Sequence, residues 1–226
     1  MKGILKHNTV KSVNPANELP KEISEQDIMI TRLQTSVKVA PGEDLCSLIR
    51  GCKRQDRESQ RLIYMQYYEF ALKIVYRYVA DYSEAIRLTN ETMIMVFRSF
   101  SGFKGAKHMT LENSFGRWMK DAFIQAVVRW SLSLDRGEVP AVTMVHTDAD
   151  VWAPAVAGDS PDTQLYRILI SRLVSLPLSH RLIFNLCVID RYPAGKVARL
   201  SDMGVKRVQR KLSEARSMLR YSTFGN

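Results

Sequence analysis

Gly204-Val-Lys-Arg-Val-Gln-Arg-Lys-Leu-Ser-Glu-Ala-Arg-Ser-Met-Leu-Arg220 is the stretch whose reading decides the fold. Val205, Val208, Leu212, Ala215 and Leu219 recur at steps of three and four, which lays one apolar stripe along a helix. Lys206, Arg207, Arg210, Lys211, Arg216 and Arg220 lie off that stripe, against a single acid, Glu214. Such a helix buries one face on its own domain and offers the other to a polyanion. The competing reading is a basic, solvated helix of a small bundle.

The residues just upstream complete a helix-turn-helix. Pro177 and Ser179 open a helix with Leu182, Ile183, Leu186 and Ile189 as core positions. Pro193 suits the first turn of a second, short helix, because its missing N–H has no partner there anyway. Val197, Ala198 and Leu200 face inward in that helix. A turn falls at Asp202-Met203-Gly204, where Asp tolerates left-handed backbone better than most residues and Gly204 starts the next helix. In a unit of this kind the second helix enters the major groove and its N-terminal residues meet base edges. That puts Val205, Lys206, Arg207, Gln209 and Arg210 toward bases, and Lys211 and Arg216 toward phosphates.

Charge supports an anionic partner, nucleic acid first and a membrane surface second. Lys plus Arg is 33 and Asp plus Glu is 23, a net of +10. The charge is also unevenly spread. Residues 45–132 carry fourteen bases and eight acids, and residues 164–226 carry twelve bases and three acids. Between them, residues 133–163 carry one base and six acids. Cys46, Cys52 and Cys187 lack paired metal spacing, so a reduced, cytoplasmic interior is expected. No run of eighteen apolar residues is present to span a bilayer, and no apolar signal core follows Lys2. Phosphate-binding glycine loops, His-x-x-x-His, Cys-x-x-Cys and nucleophile elbows are absent from the sequence, so catalysis has no positive support.

Four segments follow: a mobile extension at 1–43, a helical block at 44–132, a flexible acidic linker at 133–163 and the helix-turn-helix block at 164–226. The fold class is all-α. In the first block Leu45, Leu48 and Ile49 mark a short helix ending near Gly51. Asp56 caps a long helix whose stripe is Ile63, Tyr67, Phe70, Ile74 and Tyr78. A third helix starts near Asp81–Ser83 and runs to about Phe100, with Ala85, Leu88, Thr92, Val96 and Phe100 inward. The loop 101–113 carries two lysines and Phe103. Ser114 caps a fourth helix burying Phe115, Trp118, Met119, Ala122, Phe123 and Ala126. A basic helix behind a mobile loop can receive a splayed nucleic-acid strand on aromatic platforms; a four-helix bundle with a solvated face fits the same pattern. The linker reaches about 100 Å fully extended and spans roughly 30 Å as coil. A last helix-forming run, Thr163 to Leu176, leads into the helix-turn-helix.

Taken in order, four motifs resemble bacterial RNA polymerase sigma factors of the extracytoplasmic-function group, part of the sigma-70 family. Thr89-Asn-Glu-Thr-Met-Ile-Met-Val-Phe97 is similar to the family's threonine-glutamine-glutamate-threonine-phenylalanine stretch. Ser114-Phe-Gly-Arg-Trp118-Met is similar to its serine-phenylalanine-x-x-tryptophan-leucine motif. Leu176-Pro-Leu-Ser-His-Arg181-Leu-Ile-Phe184 is similar to its leucine-proline-x-x-x-arginine-x-x-phenylalanine motif, and Leu212-Ser-Glu-Ala-Arg216 to its leucine-serine-x-alanine-arginine ending.

The resemblance implies a transcription initiation factor that directs the polymerase core to promoters, with no cofactor, ATP or metal of its own. Thr89, Asn90, Glu91 and Thr92 are then the polymerase-docking residues. Phe103, Lys104, Lys107, Arg117, Lys120, Gln125 and Arg129 form the downstream-element and melting region, with the loop holding an extruded base. Its implied partners are the polymerase core, promoter DNA and an anti-sigma factor. Several positions depart from the pattern. Ile86 and Arg87 replace an acidic pair, Gln125 an asparagine, Arg129 an aspartate and Asp202 a glycine, and Pro193-Ala-Gly195 replaces a more helix-favouring opening. Reversed charge on a docking face costs several kcal/mol. Two alternatives therefore stand: a DNA-binding regulator that has lost polymerase docking, and a decoy that titrates an anti-sigma factor.

Overall fold

The computed structural model describes residues 44–79, 81–137 and 170–221, and these are helical with no strand. The expectations for residues 1–43 and for linker positions 138–163 lie outside the described residues. The elements are α1 (Leu45–Lys53), α2 (Arg57–Tyr76), α3 (Tyr82–Ser99), a 3-10 turn (Phe100–Gly102) and α4 (Leu111–Asp135). After a helical stretch at 170–174 come α5 (Leu178–Phe184), running into a π-helical turn (Asn185–Ile189), then α6 (Ala194–Leu200) and α7 (Val205–Tyr221). Among the described residues no helix is long and apolar enough to cross a membrane.

Local chemistry sets the helix starts. Asp44, Asp56 and Asp81 each accept a hydrogen bond from a backbone N–H two or three residues on, at 3.0, 2.8 and 2.7 Å. These short acceptors satisfy N–H groups that a helix start leaves unpaired. The fourth helix begins earlier than its sequence suggests, because Thr110 is its cap, accepting from Asn113 N–H at 3.3 Å. Ser114 is instead buried inside α4 and accepts from the Ala106 N–H at 2.8 Å, tying down the preceding loop. That helix also continues to Asp135, three residues into the segment read as linker.

The expected stripes are largely buried, with Trp118 and Ala122 of α4 only half-buried. Ile63, Tyr67, Phe70, Ile74 and Tyr78 from the α2 stretch meet Ala85, Leu88, Val96 and Phe100 from the α3 stretch and Phe115, Met119 and Phe123 from α4. α1 crosses α2 closely at Gly51, where a Cβ atom would lie 2.0 Å from Ser59 Oγ. The two basic blocks share this core. Leu182, Ile183, Leu186, Val197, Ala198 and Val208 belong to the same buried cluster as the first four helices. A second cluster joins Ile170, Leu173 and Leu176 to Phe184, Ile189, Ala215 and Leu219, seating α7 against α5. The two blocks are thus in direct contact, and polar groups lie at the seam.

Candidate nucleic-acid interface

The helix-turn-helix turn is held by left-handed backbone at Asp202 (φ 52°) and by Met203 N–H donating to the Ala198 carbonyl at 3.0 Å. Asp202 holds this conformation without being glycine because a short polar side chain tolerates the region. α7 then runs with Val208, Ala215 and Leu219 buried, and Lys206, Arg207, Gln209, Arg210 and Arg216 exposed. Val205 departs from the buried stripe: it is 43% exposed at the first position of the helix.

The exposed cations differ in how far they are engaged. Lys206 and Arg207 have no ion pair among the described residues, whereas Arg210 Nε lies 3.7 Å from Glu214 Oε1. Glu214 also meets His180 Nε2 at 2.8 Å, and the His180 hydrogen bond holds its carboxyl below the ordinary glutamate range. Lys211 is half-buried and donates to Ser179 Oγ at 2.8 Å, so it serves helix packing as well as charge.

The residues expected to meet a melted strand fall into two groups. Lys104, Lys107, Arg117, Gln125 and Arg129 are exposed. Phe103 and Lys120 are not free. The Phe103 ring is buried among Phe115 and Trp118, with centroids 5.4 and 5.2 Å away, so it offers no stacking platform. Its carbonyl accepts from Lys53 Nζ at 3.0 Å, which pins the loop to α1. A loop aromatic is legible as solvent-facing or as core only when the surface beneath it is known. Arg129 joins Arg87, Met95, Trp130 and Leu132 along an open groove of about 490 Å³ between α3 and α4.

The stretch expected to dock on polymerase is largely inward. Thr89 and Thr92 are buried, and their hydroxyls donate to the Ala85 and Leu88 carbonyls of their own helix at 2.7 Å. They pack the bundle and present no side chain to a partner. Asn90 is half-buried and accepts from Tyr64 OH at 3.1 Å. Glu91 accepts from Arg87, which also bridges Glu84, both at 2.5 Å. Trp130 Nε1 donates to the same Glu84 at 2.7 Å. The Arg87 hydrogen bond draws Glu84's carboxyl below its ordinary value, against the opposing effect of burial.

The sequence reading missed the seam between the blocks. Asp190 is fully buried there, accepting from Arg77 Nη2 at 3.1 Å, from Lys120 Nζ at 2.7 Å and from Tyr78 OH. Burial alone raises such a carboxyl, but the Arg77 and Lys120 charges outweigh it and hold Asp190 below the ordinary range. Burial and the adjacent Asp190 push the Tyr78 hydroxyl well above its ordinary value, so it remains a donor. Arg181 Nη1 and Asn185 Nδ2 donate to the Tyr78 and Arg77 carbonyls at 3.2 and 3.1 Å, satisfying groups that the end of α2 leaves open. The signal was present in the spacing, since Asp190 follows Leu186 by four and so shares the apolar face. No protein-family model matches the chain, and a search of curated proteins finds no match.

Proposed function

We propose that the chain is a transcription initiation factor of the sigma type, which brings the polymerase core to specific promoters. In this reading residues 44–132 and 164–226 act as two small helical domains on an acidic tether, one on the melted strand and one on the duplex. One observation carries the reading: α7 buries Val208, Ala215 and Leu219 while Lys206, Arg207, Gln209 and Arg210 stay exposed together behind a left-handed turn at Asp202. A helix so mounted can enter the major groove with its first turns on base edges. The ordered motifs of the first block supply the link to polymerase.

Pull-down with core polymerase and transcription from mapped start sites tests this. Enrichment of polymerase and new starts on expression are expected; neither appearing sinks the reading. A second reading, a DNA-binding regulator without polymerase contact, is favoured by the inward Thr89 and Thr92 and by Arg87 held between Glu84 and Glu91. It predicts specific duplex binding with no polymerase in the eluate. A decoy for an anti-sigma factor predicts tight protein binding and negligible DNA affinity.

A further inference from the structure

The seam between the blocks sets a buried charge cluster inside an otherwise apolar contact. Asp190, from the C-terminal block, meets Arg77 and Lys120 of the N-terminal block with no exposure of its carboxylate. Around it, Tyr192 OH donates to Asp121, and Lys196 Nζ sits 3.7 Å from the Tyr192 ring centre and 4.0 Å from Asp121. Buried ion pairs roughly break even against hydration, so such a contact closes without a large margin. Two buried atoms at the same seam, Arg181 Nε and Asn185 Oδ1, have no hydrogen-bond partner among the described residues. Each is a standing cost that opening to water removes. Leu182, Ile183 and Leu186 favour closure through the shared core. Closure therefore rests on apolar packing working against these polar costs.

Lys120 gives the seam its functional meaning. It belongs to the set expected to meet a nucleic-acid strand, yet its ammonium is 2.7 Å from Asp190 and only 27% exposed. A carboxylate there takes the place a phosphate oxygen would take. Resting on the reading above, we propose that the Asp190 cluster is an autoinhibitory latch: closure occupies Lys120 internally, and the first block takes a single strand only when the C-terminal block swings away. If about 10% of molecules are open, the apparent affinity is about tenfold weaker than that of the open form.

The test uses the full chain. Asp190→Asn, Tyr192→Phe, Lys120→Ala and the Lys120→Ala, Asp190→Asn double variant are compared by small-angle scattering, helicity and binding to a 25-nucleotide single strand. The expected result is a larger radius of gyration for Asp190→Asn at unchanged helicity, with about tenfold tighter strand binding. That gain should be absent in the Lys120→Ala background, because the two changes act through one contact. Tyr192→Phe, which leaves the buried charges intact, should shift both readouts the same way by a smaller factor, and it decides the matter if Asp190→Asn loses helicity. Unchanged compactness in both single seam variants, or opening with strand affinity as in the wild type, overturns the latch while leaving the functional reading standing. Opening in a protein that binds no nucleic acid in any variant overturns the functional reading itself.

Discussion

Replacing Phe103 by Ala separates two roles for the loop before α4. If the ring receives a base, its loss weakens strand binding and spares the fold. The geometry says the reverse. The ring is 3% exposed, lies edge-on to Phe115 at 5.4 Å and tilted against Trp118 at 5.2 Å, and carries Lys53 Nζ at 5.9 Å from its centre. Burying a Phe side chain contributes about 1.5–3 kcal/mol. The aromatic pairs add about 0.5–1.5 kcal/mol, and the cavity left behind brings a Phe→Ala change to about 3–5 kcal/mol. At about 2–4 °C per kcal/mol for a chain of this size, the melting temperature should fall by about 6–20 °C. Phe103→Leu, which refills most of the volume, should recover more than half of that. Thermal unfolding by circular dichroism reads the effect, with strand binding measured well below the transition. A melting point within 2 °C of wild type, together with a clear loss of strand affinity, would refute the packing argument.

Other outcomes follow from the same geometry. Arg207→Ala should weaken duplex binding by about 1–3 kcal/mol and relax preference at one base pair, since nothing within the described chain competes for its guanidinium; equal weakening on every sequence, with a salt slope lower by about 0.9, would make it a phosphate contact instead. Gly51→Ala pits about 1 kcal/mol of helix propensity against a Cβ set 2.0 Å from Ser59 Oγ and 2.7 Å from Ser59 Cβ. Overpacking of that kind costs about 1–3 kcal/mol, so the urea midpoint should drop; a rise would contradict the close crossing of α1 and α2. Asp190 and Glu84 both hold their protons less tightly folded than unfolded. Their stabilising contributions are therefore complete above the unfolded carboxylate range and are lost as pH falls through the depressed folded values, from about pH 5 downward. Unfolding followed against pH should show that acid loss blunted in Asp190→Asn, and an identical acid limb in both proteins would remove Asp190 from the account.

Much of the helical plan is written locally. Asp56 and Asp81 announce their helices because a short oxygen-bearing side chain bonds N–H groups three residues away, whatever lies beyond. The stripes through Ile63–Tyr78 and Val208–Leu219 could be read because periodicity alone puts those residues on one face. The start of α4 was shifted, since Thr110 and Ser114 are both competent caps and only the fold of the loop onto Ser114 Oγ chose between them.

Sequence by itself therefore determined that the chain is helical and most of each helix's apolar face, because both depend on neighbours within a turn or two. Only the tertiary structure decided that Phe103 and Thr89 turn inward and that Lys120 is held by a carboxylate. Arg77 and Asp190 stand 113 positions apart, and nothing in the local chemistry of either selects its partner. Their pairing exists because two apolar faces dock and leave no water between them, and a charge stripped of water must find its opposite in whatever the other surface supplies.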